Sequence, residues 1–212
     1  ELPFCNIWTA MQLSSRLPKG ALFHMGVSNT RRCWNMFQLP ESVESACNVG
    51  CCGIDGCVST LVGASLVNPD RLCYVVVGDL TFFYDLNSLG NHHIGTNLRV
   101  MLVNNGRGTE FRLSIHHCNV FGDDADKYMA AAGHFGNKSP LLVKHYAEDL
   151  GFHYLSATTK EEFMTALSNF TNPQLSDHSM ILEVFTDSKD ESEALYLMSH
   201  IQSDAKGMVR SK

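Results

Sequence analysis

Apolar residues in this chain gather in short Val-, Leu- and Met-rich runs, separated by longer stretches in which they recur at helical spacing. Runs covered by neighbours on both faces read as buried parallel strands, and the intervening 3.6-residue periodicity reads as crossover helices. On that pattern strands are predicted over 21–25, 72–77, 99–103, 152–156 and 180–185, with a weaker one over 44–48. Helices are predicted over 4–17, ended by Pro18-Lys19-Gly20; from a cap at Ser28, Asn29 or Thr30 to 37; over 57–67 and 82–93; over 141–150, closed by Gly151; over 160–170, opened by Thr158 or Thr159; and over 188–206. The alternation predicts an α/β fold, a three-layer doubly wound sheet of about six mainly parallel strands with helices on both faces. No internal repeat or linker interrupts it, so residues 1–212 are expected to form one domain.

The most informative stretch is LCYVVVGDLTFFYDLNSLGNHHIGTNLRVMLVNN, residues 72–105. It reads as strand, helix, strand, and a crossover of that kind is right-handed and makes the strands parallel. Open α/β sheets bind ligands beyond the carboxyl ends of such strands. Here those ends carry Gly78-Asp79 and Asn104-Asn105: a carboxylate and two carboxamides, beside a glycine that admits close backbone approach and a helix start that favours an anion. Hard oxygen donors suit Mg2+ or Ca2+, and Mg2+ commonly shares its shell with phosphate oxygens. The residues therefore suggest a divalent ion held against a diphosphate.

Gly-Asp, some two dozen residues, then Asn-Asn resembles the thiamine diphosphate motif of the decarboxylase and acetohydroxyacid synthase superfamily. GDL in place of the commoner GDG is most similar to the menaquinone-pathway synthases of 2-succinyl-5-enolpyruvyl-6-hydroxy-3-cyclohexene-1-carboxylate. Further pieces match in order, from the start of the chain through GIDG (53–56) to NNGRG (104–108). The resemblance implies thiamine diphosphate and Mg2+ (or Ca2+) as cofactors and a 2-oxo acid as substrate. It implies cofactor contacts from Gly53, Ile54, Asp55, Gly78, Asp79, Leu80, Thr81 and Asn105, with Ile54 supporting the bent cofactor and backbone of 52–54 meeting its aminopyrimidine. Metal ligands would be Asp79, Asn105 and the carbonyl of Arg107, while residues 109–111, Phe111 among them, would lie near the substrate. Ser28 and Arg32 match a serine and an arginine that the menaquinone-type enzymes present to the active site; an N-cap and a solvated arginine explain them equally well. Asp55 reads as a helix cap.

No catalytic residue is expected in this domain, because the family's glutamate comes from a pyrimidine-binding domain of the same or a neighbouring chain. The sequence looks like the C-terminal third of a longer three-domain enzyme, or one subunit of a split one, working as a homodimer or tetramer. One departure stands out: Val49 occupies a position where the menaquinone-type enzymes have an arginine that holds anionic substrates. Loss of that guanidinium points to a different substrate.

Composition narrows the partners. A net charge of −6 leaves no basic surplus for a nucleic-acid backbone. No apolar run approaches a membrane span and no signal peptide opens the chain, so a cytoplasmic enzyme is expected. Cys47, Cys51, Cys52 and Cys57 lack the paired C-x2-C spacing of zinc sites and read as free thiols. His92 and His93, adjacent on the predicted helix, point different ways and read as solvated, or as supporting a site from behind, rather than as a ligand pair. Residues 106–140 read as a binding loop, from which Arg107, Arg112, His116 and His117 could meet an acidic substrate, solvated charge being the plainer account for at least half of them. Two other classes remain: a degenerate noncatalytic domain used for assembly, and a dinucleotide-binding oxidoreductase. GxxGxxG over 50–56 permits the latter, but no acidic residue follows in the expected place.

Overall fold

Strands β1 (Leu22–Met25), β2 (Glu44–Cys47), β3 (Cys73–Gly78), β4 (Leu98–Asn104), β5 (His153–Ala157) and β6 (Met180–Phe185) form one sheet in the computed structural model. It describes residues 1–50, 52–113, 116–129, 134, 139–174 and 176–210. Every pairing is parallel and the order is β2-β1-β3-β4-β6-β5. The central strands alternate cleanly between two cores, as the period of two requires. Tyr74, Val76, Met101, Val103, Leu182 and Val184 face one, and Cys73, Val75, Val77, Val100, Leu102 and Ile181 face the other.

Helices α1 (Asn6–Leu13), α2 (Asn29–Trp34), α7 (Lys160–Phe170) and α8 (Ser188–Arg210) cover the first face, bringing Ile7, Trp8, Trp34, Phe163, Phe170 and Ala194. Helices α3 (Cys57–Leu66), α4 (Asp79–Tyr84) and α6 (Leu142–Asp149) cover the second with Val58, Leu61, Phe82, Val143 and Ala147. The doubly wound, three-layer α/β architecture is therefore present. The chain after β1 goes to one face and the chain after β3 to the other, so the sheet opens a crevice between these neighbours, at the switch point where such folds bind ligands. No helix among the described residues is long and apolar enough to cross a membrane.

Several local expectations are corrected. The helix predicted over 82–93 is instead α4, begun three residues earlier at Asp79, followed by a tight 3-10 segment over Leu86–Gly90. The chain breaks at Asp85 because that side chain turns away to accept the Ser59 N–H of α3 at 2.7 Å. Asp55, the expected cap of α3, is exposed; Gly56 is the N-cap residue and makes no side-chain bond. His92 and His93 lie beyond the helical segment in an exposed turn, where their rings stack with centroids 3.8 Å apart rather than diverging. Thr159 caps α7 as expected, accepting the Glu162 N–H. Seven cysteines are free thiols among the described residues; Cys51 lies outside them.

The 106–140 stretch contains only short helical pieces, at Thr109–Arg112, His117–Asp124 and α5 (Ala125–Tyr128), among its described residues.

Candidate functional site

The crevice at the carboxyl ends of β1, β3 and β4 encloses a cavity of about 140 Å3. Three loops build it, each by a different local device. After β1, Gly26 brings its N–H within 2.7 Å of the Val76 carbonyl, and a Cβ there would stand 3.2 Å from that oxygen, so a larger residue would need the neighbouring strand to give by a few tenths of an ångström. Ser28 follows at φ +60°, a conformation that costs a non-glycine residue on the order of 1–3 kcal/mol and that clusters at functional sites. Ser28 is the N-cap residue of α2, yet its hydroxyl makes no capping bond and the residue lines the cavity.

After β3, Asp79 begins α4. It is 3% exposed, and its Oδ1 accepts the Leu80 N–H at 2.8 Å, which fixes the carboxylate. After β4 the two asparagines divide their tasks. Asn104 turns inward: its Nδ2 donates to Glu183 on β6 at 2.7 Å and its Oδ1 accepts the Gly106 N–H at 3.3 Å. Gly106, at φ +75°, then reverses the chain. Asn105 faces the other way, into the crevice. The Arg107 N–H donates to Asp79 Oδ2 at 3.1 Å and to Asn105 Oδ1 at 3.2 Å, so the carboxylate and the carboxamide converge on one point across the strand tips. The Arg107 carbonyl accepts the Thr109 N–H at 3.0 Å, while the Arg107 side chain is exposed.

Of the residues singled out in the sequence, Ser28, Ile54, Gly78, Asp79, Leu80, Thr81, Asn105, Arg107 and Phe111 line this cavity. Gly53, Asp55 and Arg32 do not. Arg32 is not a solvated cation either. Its guanidinium pairs in two-pronged fashion with Glu110, Nη1 to Oε2 and Nη2 to Oε1 (2.8 Å for the latter), and Nη1 also donates to Asn29 Oδ1 at 3.0 Å. The Glu110 carboxylate holds the Arg32 pKa above its ordinary value. His116 accepts the Cys118 N–H through Nδ1 and His117 is exposed; neither lines the cavity. The Arg112 side chain lies outside the described residues.

Two groups, His134 and Glu191, escaped the sequence reading, and Thr109, expected there only as lying near the substrate, stands in the cavity wall. His134 brings Nε2 within 3.0 Å of Asp79 Oδ2. Thr109 is 4% exposed, lines the cavity, and its Oγ1 has no hydrogen-bond partner among the described residues, which leaves a buried hydroxyl ready for a ligand. Glu191, from α8, lies in the cavity wall with both carboxyl oxygens on the Asn6 N–H, at 2.9 and 3.0 Å, and accepts the Thr186 hydroxyl at 2.6 Å. Complete burial pushes its pKa up to about 7, with the nearby Asp79 charge adding to the effect.

Among the described residues no group of three or more His, Cys, Asp or Glu could hold a metal ion. A cation here would rest on one carboxylate, one carboxamide oxygen and a backbone carbonyl, a hard, all-oxygen and incomplete set that suits Mg2+ completed by phosphate. The convergence of Asp79 and Asn105 and the orphaned Thr109 hydroxyl fit such a group. A larger hollow, about 460 Å3, lies at the opposite, amino-terminal edge of the sheet beside His92, Asp149, Asp177 and His178. It has no comparable convergence of donors and is not where parallel sheets place chemistry.

No family model matches the chain. Curated relatives do. The 2-succinyl-5-enolpyruvyl-6-hydroxy-3-cyclohexene-1-carboxylate synthase of Bacteroides fragilis is 33% identical over 195 residues, covering 92% of this chain and 34% of the relative. That of Phocaeicola vulgatus is 33% identical over 195 residues, covering 92% and 33%. That of Flavobacterium johnsoniae is 38% identical over 188 residues, covering 88% and 32%. The chain thus spans about one third of the length of the curated relatives it matches. It is a relative of these synthases over nearly all of its own length, and the resemblance read in GDL and NNGRG to a thiamine-diphosphate-binding domain of their superfamily holds for it.

Proposed function

We propose that this chain is the diphosphate-binding domain of a thiamine-diphosphate- and Mg2+-dependent enzyme that decarboxylates a 2-oxo acid and transfers the remaining carbanion to an acceptor. The observation that carries the reading is the meeting of Asp79 Oδ2 and Asn105 Oδ1 on the Arg107 N–H, at the tips of adjacent parallel strands. When bound, thiamine diphosphate supplies the electron sink for cleavage next to a carbonyl. The chain's own residues do the holding. Asp79, Asn105 and the Arg107 carbonyl take the metal, the Gly78–Thr81 backbone and the Thr109 hydroxyl meet the diphosphate, and Ile54 and Phe111 exclude water from the apolar rings. Ca2+ suits the same oxygen donors.

The similarity to synthases three times this length supports a domain of a longer or split cytoplasmic enzyme. Its pyrimidine-binding domain, in the same or a neighbouring subunit of a homodimer or tetramer, brings the catalytic glutamate.

Calorimetric titration of the intact protein with thiamine diphosphate, with and without Mg2+, tests this. Binding is expected only with the metal, and Asp79→Ala is expected to weaken it at least about 100-fold, because an anionic ligand leaves the shell, while far-UV circular dichroism is unchanged. Undiminished cofactor affinity in Asp79→Ala would sink the assignment. No binding by the folded wild type under any condition would favour the noncatalytic assembly role, and saturable binding of NAD instead would favour the oxidoreductase.

A further inference from the structure

At the edge of the crevice nearest α2 stands a charge pair whose acid, Glu110, lines the cavity while its base, Arg32, lies behind it. Both terminal nitrogens of Arg32 are taken by the two Glu110 oxygens and Nη1 also by Asn29. The pair is partly sheltered, with side chains 35% and 20% exposed, and its two-pronged geometry sets it apart from the usual weak surface contact. The other ionisable side chains lining the crevice are Asp79, Glu191 and the exposed Arg107. Behind the pair lies a second cavity of about 200 Å3. It is lined by Met36, Leu113, Leu195 and Tyr196 with two serine hydroxyls, and Arg32 is its one cation among the described side chains. Val49, exposed, adds no charge.

We infer that the Arg32–Glu110 pair is a neutralised latch that makes the crevice selective for 2-oxo acids with one carboxylate and an uncharged side chain, against those with two carboxylates. This inference rests on the thiamine diphosphate reading above. A second carboxylate reaching for Arg32 meets Glu110 first, and capturing the guanidinium would strand Glu110 beside two negative charges. An uncharged chain meets no such repulsion and has the apolar cavity beyond.

The test is equilibrium binding of two probes, pyruvate and 2-oxoglutarate, to the intact protein loaded with Mg2+ and the unreactive 3-deaza analogue of thiamine diphosphate, so that turnover does not intervene. Wild type is expected to favour pyruvate. Glu110→Gln, which keeps the shape and removes the charge, is expected to shift the affinity ratio at least about tenfold toward 2-oxoglutarate, the scale of one freed charge-assisted pair. The double variant with Arg32→Met is expected to lose that gain. The inference is overturned by an unmoved ratio in Glu110→Gln, by a gain that survives in the double variant, or by a wild type that prefers or ignores both probes equally. Should Glu110→Gln fail to fold, the double variant Arg32→Met/Glu110→Gln decides against wild type: exchanging a net-neutral pair for two uncharged side chains leaves the ratio within about twofold if the guanidinium is already neutralised, and lowers 2-oxoglutarate affinity about tenfold if it is a free receptor. Analogue binding is read separately, so its failure in wild type removes the cofactor reading, whereas a bound analogue with an unmoved ratio removes only the latch.

Discussion

Glu191 is the residue whose environment differs most from what its type prefers. A carboxyl cut off from water keeps its proton longer, and the N–H of Asn6 and hydroxyl of Thr186 recover only part of the lost solvation. With the folded pKa raised from 4.5 to about 7, the folded state binds more protons than the unfolded one across that window, so stability falls as pH rises through it and is level on either side. The full effect is roughly 3 kcal/mol. In urea unfolding at a series of pH values, wild type is expected to lose stability relative to Glu191→Gln between about pH 4.5 and 7; parallel curves would refute it. Nothing in the sequence announces this site, because Asn6 and Glu191 stand 185 residues apart. Asp79 and Asn105 were legible for the opposite reason: each ends a strongly apolar strand, so the pattern that marks the strand also marks its tip.

At the scale of elements, the boundary errors share one cause, side chains whose partners come from another element. Periodicity shows that 57–66 is a helix but not what satisfies its first N–H groups, and Asp55 is only the nearest acid in sequence. Asp85 does the capping, from the far side of α4, and in doing so ends α4 early. Asp85→Ala is therefore expected to cost about 1–2 kcal/mol, the usual loss of a cap sharpened by burial, whereas Asp55→Ala stays within about 0.5 kcal/mol. Chemical denaturation of both variants measures the difference, and equal effects would return the capping role to Asp55. Where the partner lies one turn away, as with Thr159 and Glu162 at α7, the sequence reading needs no correction.

For the whole molecule, strand order follows from burial more than from propensity. The residues of β3 and β4 are buried almost without exception, in runs too apolar for an edge, while β2 is exposed along Glu44–Ala46 and β5 is largely half-exposed. Those patterns make the centre and edges of the sheet readable in sequence, and β6, buried along nearly its whole length like β3, stands inside the more exposed β5. The site inherits its rigidity from that order: Asp79 and Asn105 follow the two central strands of the sheet, which have neighbours on both sides and helices on both faces. Amides of such strands exchange with solvent only when the molecule unfolds globally, whereas edge strands open locally at lower cost. Native-state hydrogen exchange is therefore expected to find Val75–Val77 and Val100–Val103 slowest and Glu44–Cys47 fastest among the strands. Protection of β3 and β4 no greater than that of β2 would mean that the strand tips move independently of the sheet, and that the convergence of Asp79 and Asn105 is not set by the fold.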